Sequence, residues 1–301
     1  MSSNTNIFIK MMAHTFGRII PDKPFLSIRY LMTFHKRINW RNPTTFNEKL
    51  QWLKINDREQ LYSKLVDKYE VKQFVANLIG EEHIIPTLGV WDKFEDIDFD
   101  ELPEQFVLKC THDSGSVLIC KQKSQFDYKA ARKHFHNCLK QMAYYAGREW
   151  AYKFVKPRII AEKYMTDELG TDLKDYKFFC FNGVAKCLKV DINRFVDHHA
   201  NYYDTEMVQL PFGEVLFPPD YSFKIERPAK LDVMISLAEI LSAGHAFLRV
   251  DLYNINGDIY FGELTFFPAC GFEEFIPEEW DYVLGNWIIL PVGASNDTDI
   301  R

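Results

Sequence analysis

Two carboxylates near the C-terminal end of the chain have the spacing of a divalent-cation site. Asp251 and Glu263 lie in two apolar, aromatic-rich runs that flank Asn256-Gly257, the strongest short sequence signal for a β-hairpin turn. On paired antiparallel strands the two carboxylates can face each other, and they repel unless a positive charge lies between them. Their oxygen atoms suit a hard divalent cation. Arg249, two residues before Asp251, points to the same strand face. A hairpin whose acids face water is the alternative.

A second group of residues has the composition of a phosphate-binding site. Lys109 ends the short apolar segment 106–109, and the polar, small-residue stretch 111–116 follows it. A lysine beside a loop rich in free backbone N–H groups is a physical basis for gripping phosphates. Lys68 opens a predicted helix and offers a second cation. None of these features is specific by itself.

The elements that must position these residues are hairpins separated by helices. Segments 106–109 and 117–120 predict one hairpin around loop 111–116, and 175–181 with 184–192 predict another around Asn182-Gly183. A single strand is predicted for 158–164. Helices are predicted for 127–145 and 228–241, and also after two capping boxes, Thr45/Glu48 and Asp67/Glu70. This order predicts an α+β fold, and the lack of a GxGxxG motif argues against a doubly wound sheet.

Composition limits the classes of protein to be considered. The 301 residues are 47% hydrophobic and 15% aromatic, which is enough for a substantial core. No apolar run approaches the roughly 18 residues that span a bilayer, and the start of the chain does not have the pattern of a signal peptide. The six cysteines form no CxxC pair, so they are interpreted as reduced structural thiols in a cytoplasm.

The net charge of −6 is unevenly distributed. Residues 1–72 hold 13 Lys/Arg and 6 Asp/Glu, a net charge of +7, which leaves −13 on the rest of the chain. A basic N-terminal quarter suits an anionic partner, such as an acidic glycan or the cytoplasmic face of a membrane. A solvated helical face is an equally good interpretation. The acidic remainder and the lack of a recognised motif argue against a nucleic-acid binder.

The order of the motifs resembles the ATP-grasp superfamily, and the correspondence with D-alanine–D-alanine ligases covers roughly residues 67–271. The matching segments are, in order, Asp67-Lys68, Phe106–Val117, Ala161–Met165, Asp175, Arg249-Val-Asp251 and Glu263-Leu-Thr265. Together with Phe46–Trp52, this order looks most like the TupA-like branch. That branch is associated with teichuronopeptide and other surface-polysaccharide biosynthesis, and its members are often labelled glycosyltransferases. Thr265 departs from the family's usual Asn, and Pro268–Gly271 from its Pro-Gly.

The resemblance implies an ATP-grasp fold, in which two α+β subdomains clasp ATP between antiparallel sheets behind a helical N-terminal extension. It implies ATP and Mg²⁺ as cofactors. The implied nucleotide contacts are Lys68, Lys109, Ser114, Gly115, Ser116, Glu162, Lys163, Met165, Asp175 and Lys177. The implied Mg²⁺ ligands are Asp251, Glu263 and Thr265, and the implied catalytic residues are Arg249 and Lys109. The expected divisions are a helical basic region (1–66), a pre-grasp segment (67–105), two ATP-grasp subdomains (106–164 and 165–291) and a loose tail (292–301).

The implied activity is that of a carboxylate–amine ligase, which forms an amide through an acyl phosphate. The branch suggests a uronic acid of a surface polysaccharide or its precursor, together with an amino acid or small amine. The segment 191–203 has a mixture of side chains that suits sugars, namely Asp191, Asn193, Arg194, His198, His199, Tyr202 and Tyr203, although an ordinary polar loop explains it equally well. Adjacent histidines without further spaced ligands do not predict zinc. A cytoplasmic location is expected, with peripheral contact to membrane-bound assembly machinery.

Two other functions are compatible with the sequence. A nucleotide-sugar glycosyltransferase needs an acidic pair, and the overlapping Asp96-Ile-Asp98 and Asp98-Phe-Asp100 have the letters of a DxD motif. Both lie in an acidic stretch without a recognisable sheet around them. A non-catalytic, nucleotide-dependent scaffold is the third class, and the nearly complete set of ligand-type residues argues against it. Release of ADP, of UDP or of neither product would distinguish the three.

Overall fold

The computed structural model describes residues 18–166, 174–192 and 197–291. Within these residues the chain forms helices and antiparallel sheets, which confirms the predicted α+β class. The helices are α1 (Asp22–Phe34), α2 (Phe46–Asn56), α3 (Gln60–Val66), α4 (Glu70–Ile79), α5 (Tyr128–Cys138), α6 (Ala143–Gly147), α7 (Leu231–Ser242) and α8 (Glu279–Trp287). The strands are β1 (Thr87–Trp91), β2 (Phe106–Cys110), β3 (Leu118–Cys120), β4 (Ile159–Lys163), β5 (Asp175–Phe181), β6 (Val184–Ile192), β7 (His199–Tyr203), β8 (Gly213–Glu214), β9 (Phe247–Ile255), β10 (Asp258–Thr265) and β11 (Phe275–Ile276). In this described part of the chain, none of the helices is both long and apolar enough to cross a membrane.

The first sheet has four antiparallel strands in the order β1-β4-β2-β3. β2 and β3 form the predicted hairpin around loop 111–116, and β2 also pairs with β4. β1 comes from the 67–105 segment, so this sheet begins before residue 106. Alternate residues of β2 are buried with α5 in one apolar core, which leaves Lys109 on the opposite face. The predicted helix 127–145 is interrupted, because α5 and α6 are separate helices.

The second sheet has five antiparallel strands in the order β10-β9-β5-β6-β7. Both Asn-Gly turns predicted from the sequence are present, between β5 and β6 and between β9 and β10. Asn182, Gly183, Asn256 and Gly257 all have positive φ angles, as a tight two-residue hairpin turn requires. The tight turns therefore make β5 a neighbour of β6 and β9 a neighbour of β10, and β5 pairs with β9 between them.

One face of the second sheet is apolar, and the other is divided in two. Residues such as Val250 pack with α7 in the main core. On the opposite face, one half is aromatic: Phe179 and Phe247 lie under Phe46 of α2, with ring centroids 6.5 and 4.9 Å from that residue. The other half carries charged residues instead, and the candidate site is built on that half.

The N-terminal helices confirm one predicted capping box and correct the other. At the start of α2, Glu48 N–H donates to Thr45 Oγ1 at 3.2 Å, and the Glu48 carboxylate accepts from Thr45 N–H. Asp67 instead lies after α3, and α4 begins at Glu70. The Glu70 carboxylate is used by Arg158, at 2.9 Å, so it does not complete a box. Asp67 still accepts hydrogen bonds from the N–H groups that open α4.

Helix α8 crosses the start of α2 at a glycine. A Cβ atom on Gly285 would lie 2.3 Å from the carbonyl oxygen of Thr44 and 2.7 Å from the backbone nitrogen of Phe46. Glycine to alanine normally stabilises a helix, but here the added methyl meets rigid backbone. We expect Gly285→Ala to lower the free energy of unfolding by about 1–3 kcal/mol in urea denaturation. The exposed Asn286→Ala in the same helix should change it by less than about 0.5 kcal/mol.

Candidate nucleotide and metal site

The two predicted carboxylates face each other on the charged half of the second sheet. Asp251 of β9 is the direct partner of Glu263 of β10, which confirms the predicted juxtaposition. The guanidinium of Arg249 lies between them. It donates two hydrogen bonds of 2.7 Å to Asp251 and one of 2.9 Å to Glu263. The positive charge that the repelling carboxylates require is therefore supplied by the chain itself.

A bulge is what brings the two carboxylates together. The turn pairs Ile255 with Asp258, and this register continues as far as Phe261. Without a shift, Gly262 would lie opposite Asp251, and Glu263 would point to the apolar face. The register shifts between Phe261 and Glu263, so Glu263 moves to the charged face. A Cβ on Gly262 would come within 3.0 Å of the Asp251 carbonyl oxygen, and glycine suits this close approach.

The β5–β6 hairpin contains a similar shift and adds more charge to the same face. Lys177 of β5 lies opposite both Asp251 and Lys189 of β6. Its ammonium pairs with Asp175, lies 3.2 Å from Asp191 and lies 3.7 Å from Asp251. These strands therefore carry alternating charges that neutralise one another in a partly buried row.

A lysine outside the second sheet, Lys68, also lies close to Glu263. The Lys68 ammonium is 3.7 Å from the Glu263 carboxylate. Burial by itself would raise the pKa of this carboxyl, but Lys68, Arg249, Lys177 and Lys109 together lower it to about 2. Glu263 is therefore ionised at neutral pH, and its side chain remains 35% exposed. Lys68 and Arg249 therefore approach the same carboxylate from different parts of the fold.

Lys109 and Glu162 form a buried ion pair on the first sheet. Each oxygen of the Glu162 carboxylate is 2.6 Å from one ammonium, that of Lys109 or that of Lys72. Burial would raise the pKa of Glu162, but these two lysines lower it below its ordinary value. Lys72 is further held by the Ile85 carbonyl oxygen, at 2.7 Å. Lys72 also donates to Thr87 Oγ1, at 2.9 Å, whereas the ion-pair partner of Lys109 is Glu162.

Hydrogen bonds made by its own residues determine the shape of loop 111–116. Ser116 is buried; its hydroxyl accepts a 2.7 Å bond from the Cys110 N–H and donates a 2.5 Å bond to Asp113. Ser114 and Gly115 are exposed at the tip, where Gly115 has a φ of +115°. The Lys68 ammonium donates to the Asp113 carbonyl oxygen at 2.5 Å. The loop therefore presents Ser114 and Gly115 outward, while Ser116 fixes its shape.

The remaining predicted nucleotide residues are found at the end of β4, in the first sheet, and at the start of β5, in the second sheet. Lys163 is exposed at the end of β4, and its N–H already donates to the Pro86 carbonyl oxygen at 3.0 Å. Met165 is half-buried just beyond β4. The Asp175 side chain is 9% exposed and pairs with Lys177. Adenine and ribose contacts at these residues stay predictions.

The donor atoms at Asp251, Glu263 and Thr265 fit a magnesium ion. All are hard oxygens, and the Thr265 hydroxyl is 3.5 Å from the nearer Glu263 oxygen. Thr265 is also the direct partner of Arg249 across the strands, which places it on the same face. When bound there, Mg²⁺ would supply additional positive charge against the phosphate oxygens of a nucleotide.

The predicted sugar-binding segment is corrected in part. Tyr202 and Tyr203 are 1% and 3% exposed, so these rings are core residues and do not form a sugar platform. Asn193 and Arg194 lie outside the described residues. His198 remains at the surface of the row: its Nε2 is 3.0 Å from Asp191, and its ring lies 3.9 Å from that of Phe217.

The aspartates of the two Asp-x-Asp segments, considered for a glycosyltransferase, do not form a site in the structure. Asp96, Asp98 and Asp100 are exposed in the connection between β1 and β2. Asp98 accepts a hydrogen bond of 2.9 Å from the Asp100 N–H, which is an ordinary turn contact. No strand end positions these carboxylates against a basic loop in the described residues.

Three residues that support the site were not predicted. Lys72 lies four residues after Lys68, the spacing of one helix face, so the sequence did contain that signal. Lys189 is two residues from Asp191, just as Lys177 is two residues from Asp175. The sequence does not show its role, however, because only the bulge in the β5–β6 hairpin places Lys189 on the charged face. Arg158, which ties Asp67 and Glu70 to the start of β4, had no signal in the sequence.

Comparison with known proteins identifies the family of the chain. The family described as TupA-like ATPgrasp matches residues 48–289, most of the chain. The fold and site therefore define an ATP-grasp protein. More closely, the chain belongs to the TupA-like ATP-grasp family. No curated protein sequence matches the chain significantly.

Among solved structures, the chain is similar to D-alanine–D-alanine ligases. That of Bacillus anthracis complexed with ATP is 17% identical, with a TM-score of 0.39 over 69% of this chain and 56% of that one. That of Helicobacter pylori is 14% identical, with a TM-score of 0.38 over 82% and 70%. The ATP-grasp ligase PsnB complexed with minimal precursor, Mg and ADP is 11% identical, with a TM-score of 0.38 over 73% and 57%. The chain thus spans little more than half the length of the first of these structures.

Proposed function

We propose that this protein is an ATP-dependent carboxylate–amine ligase. The observation that carries the proposal is the arrangement at Glu263: Arg249 bridges this carboxylate and Asp251, and the Lys68 ammonium lies 3.7 Å from it. Cations that approach one acidic group from different parts of the fold suit a polyphosphate with its divalent ion, because the cations neutralise the phosphate charge and the carboxylate can bind the ion. Family membership supports the same chemistry.

The proposed reaction has two steps. A substrate carboxylate oxygen attacks the γ-phosphorus of ATP, the bond to the β-phosphate oxygen breaks, and ADP leaves. An amine then attacks the acyl carbon, inorganic phosphate leaves, and the nitrogen loses a proton to give an amide. Such chemistry depends on positioning and on neutralising charge, which the fixed lysines provide.

Individual residues have separate tasks in this proposal. Lys68 and Lys109 neutralise the phosphates, and the exposed tip at Ser114 and Gly115 covers them with backbone N–H groups. Asp251, Glu263 and Thr265 would hold Mg²⁺. Arg249 already bridges the two acids, and it faces the charge that develops on the acyl oxygen.

We further propose that the carboxylate belongs to a uronic acid of a surface polysaccharide or its precursor, and that the amine is an amino acid or other small amine. The chain belongs to the TupA-like family, and the association of that branch with surface-polysaccharide biosynthesis supports this proposal. So does His198 beside Phe217 at the end of the charged row, since an aromatic ring next to hydrogen-bonding groups suits a sugar. The reaction would take place in the cytoplasm, next to membrane-bound assembly machinery.

A thermal-shift comparison tests the nucleotide assignment. We expect a non-hydrolysable ATP analogue with Mg²⁺ to raise the melting temperature by about 2 °C or more, because it binds only the folded state. UDP-sugars at the same concentration should give no shift. Stabilisation by a UDP-sugar and not by the ATP analogue would overturn the proposal in favour of a glycosyltransferase.

A trapping experiment tests the ligase step. Hydroxylamine captures an acyl phosphate as a hydroxamate, so glucuronic acid, Mg·ATP and hydroxylamine should give hydroxamate and ADP in equal amounts. Alanine methyl ester in place of hydroxylamine should give an amide. ADP release that does not depend on any carboxylate would contradict ligase activity, even if the ATP analogue binds.

A further inference from the structure

A group of metal-ligand side chains lies behind the phosphate loop, away from the carboxylate pair. Cys110 ends β2 with its side chain on the face opposite to Lys109, and it is fully buried. Its sulfur, the sulfur of Cys138 and a carboxylate oxygen of Asp113 all lie within 4.8 Å of one another. Two thiols and one carboxylate converge here from a strand, a loop and a helix.

A fourth ligand type stands beside this group. His134 Nε2 is 3.6 Å from the Cys138 sulfur, and the two residues are one turn apart on α5. The chain therefore supplies Cys110-x-x-Asp113 from one segment and His134-x-x-x-Cys138 from another. Pairs of ligands separated by two and three residues are typical of tetrahedral zinc sites.

The surrounding contacts hold these ligands in place. The Ser116 hydroxyl connects the Cys110 N–H to the Asp113 carboxylate, with bonds of 2.7 and 2.5 Å. His112 is 3% exposed, and its Nε2 lies 3.2 Å from the Cys138 carbonyl oxygen. The loop is thus attached to the C-terminal end of α5 by a group that is not itself a ligand. Little rearrangement separates this geometry from the roughly 3.7 Å between two thiolates on one zinc ion, given Zn–S bonds of about 2.3 Å.

We propose that Cys110, Asp113, His134 and Cys138 form a site for one borderline-soft divalent cation of the zinc class. Each thiol gives up its proton to solvent when its sulfur binds the metal. Thiolate and imidazole ligands favour zinc over magnesium, so this site differs in chemistry from the all-oxygen site at Asp251 and Glu263.

The site would act on the phosphate loop from behind. Asp113 offers its carboxylate to the metal and its carbonyl oxygen to the Lys68 ammonium, at 2.5 Å. A metal ion would therefore tie α5, β2 and the loop together underneath the cation that faces Glu263. The role is structural, and it does not depend on the ligase reaction.

Cobalt titration of the full chain under reducing conditions tests this site. After treatment with a chelator, the protein should bind about one Co²⁺ per chain with a thiolate-to-cobalt charge-transfer band, and Zn²⁺ should abolish that band. Cys138→Ser should remove most of the band. His134→Ala should keep the band but weaken binding by about tenfold or more. Cys120→Ser is the matched control, because Cys120 is buried in the same core on β3 and should leave the titration unchanged.

Two results of the cobalt titration would overturn the proposed metal site. They are the absence of a thiolate band in the unmodified protein, or a band and affinity that neither Cys138→Ser nor His134→Ala alters. Should Cys138→Ser fail to fold, His134→Ala decides the question, because its side chain is only half-buried on the helix. An unchanged affinity in that variant would exclude the four-ligand site. Zn²⁺ should also raise the melting temperature of the unmodified protein by more than it raises that of His134→Ala at the same concentration.

Discussion

Lys109→Ala is expected to abolish ATP-dependent turnover while the protein remains folded. Lys109 is one of the four cations that act on Glu263, and its ammonium has the Glu162 carboxylate as its partner at 2.6 Å. Loss of one preorganised charge that meets a reacting phosphate typically costs at least about a hundredfold in rate. The fold should persist because Lys72 still neutralises Glu162 from the other side. ADP release with glucuronate and an amine measures the effect.

Lys72→Ala is the matched control for that experiment. It removes the other cation of Glu162, and it also removes hydrogen bonds to the Ile85 carbonyl oxygen and to Thr87 Oγ1. It should therefore lower the free energy of unfolding by about 1–3 kcal/mol, with a much smaller effect on turnover than Lys109→Ala. Equal losses of turnover in the two variants, in proportion to their losses of stability, would show that Lys109 is a structural partner of Glu162 only.

The hairpins and the pairing of Asp251 with Glu263 could be predicted from the sequence, but the register shift that produces this pairing could not. The Asn256-Gly257 turn fixes which strands pair, and a two-residue turn also fixes the starting register. Extended without interruption, that register would place Glu263 opposite Val250, on the apolar face of the sheet. A single shifted residue at Gly262 moves it to the charged face; an isolated glycine in a strand is compatible with a bulge, but it is equally compatible with a close backbone approach in an unshifted strand.

Burial of aromatic residues was also beyond the reach of the sequence pattern. Tyr202 and Tyr203 follow one another on β7, so their side chains point to opposite faces of the sheet. Both are buried, because Tyr202 packs on Phe212 with ring centroids 4.3 Å apart and also donates to the buried carboxylate of Glu214. A segment placed over the sheet after β7 covers the second face, and its position depends on tertiary packing.

Several basic residues of segment 1–72 make hydrogen bonds or ion pairs within the protein. Lys54 is fully buried and donates to the carbonyl oxygens of Gly147 and Cys270, at 2.8 and 2.5 Å. Lys49 donates to two carbonyl oxygens near the end of α8. Lys68 and Lys72 belong to the candidate site. The excess of basic residues therefore does not translate directly into a surface for an anionic partner, which stays a prediction.

Glu263→Gln is expected to remove the Mg²⁺ dependence of nucleotide binding and, with it, turnover. The substitution keeps the size of the side chain and removes one of the two charged oxygen ligands proposed for the ion. Because Lys68, Lys109, Lys177 and Arg249 all act on this carboxylate, its neutralisation makes the net charge around these cations more positive by one. Metal-free ATP, itself an anion, should therefore bind the variant at least as tightly as it binds the unmodified protein.

Calorimetric titration of an ATP analogue, with Mg²⁺ and with EDTA, separates these effects. The unmodified protein should bind at least about tenfold more tightly with Mg²⁺, and Glu263→Gln should show nearly equal affinities in the two conditions. Asp251→Asn is the contrasting variant. Asp251 is 2% exposed and accepts two bonds from Arg249, so its loss should lower stability by about 3–5 kcal/mol. If Glu263→Gln retained the full Mg²⁺ dependence, the ion could not be held by this carboxylate. The opposed Asp251 and Glu263 would then serve only to hold Arg249.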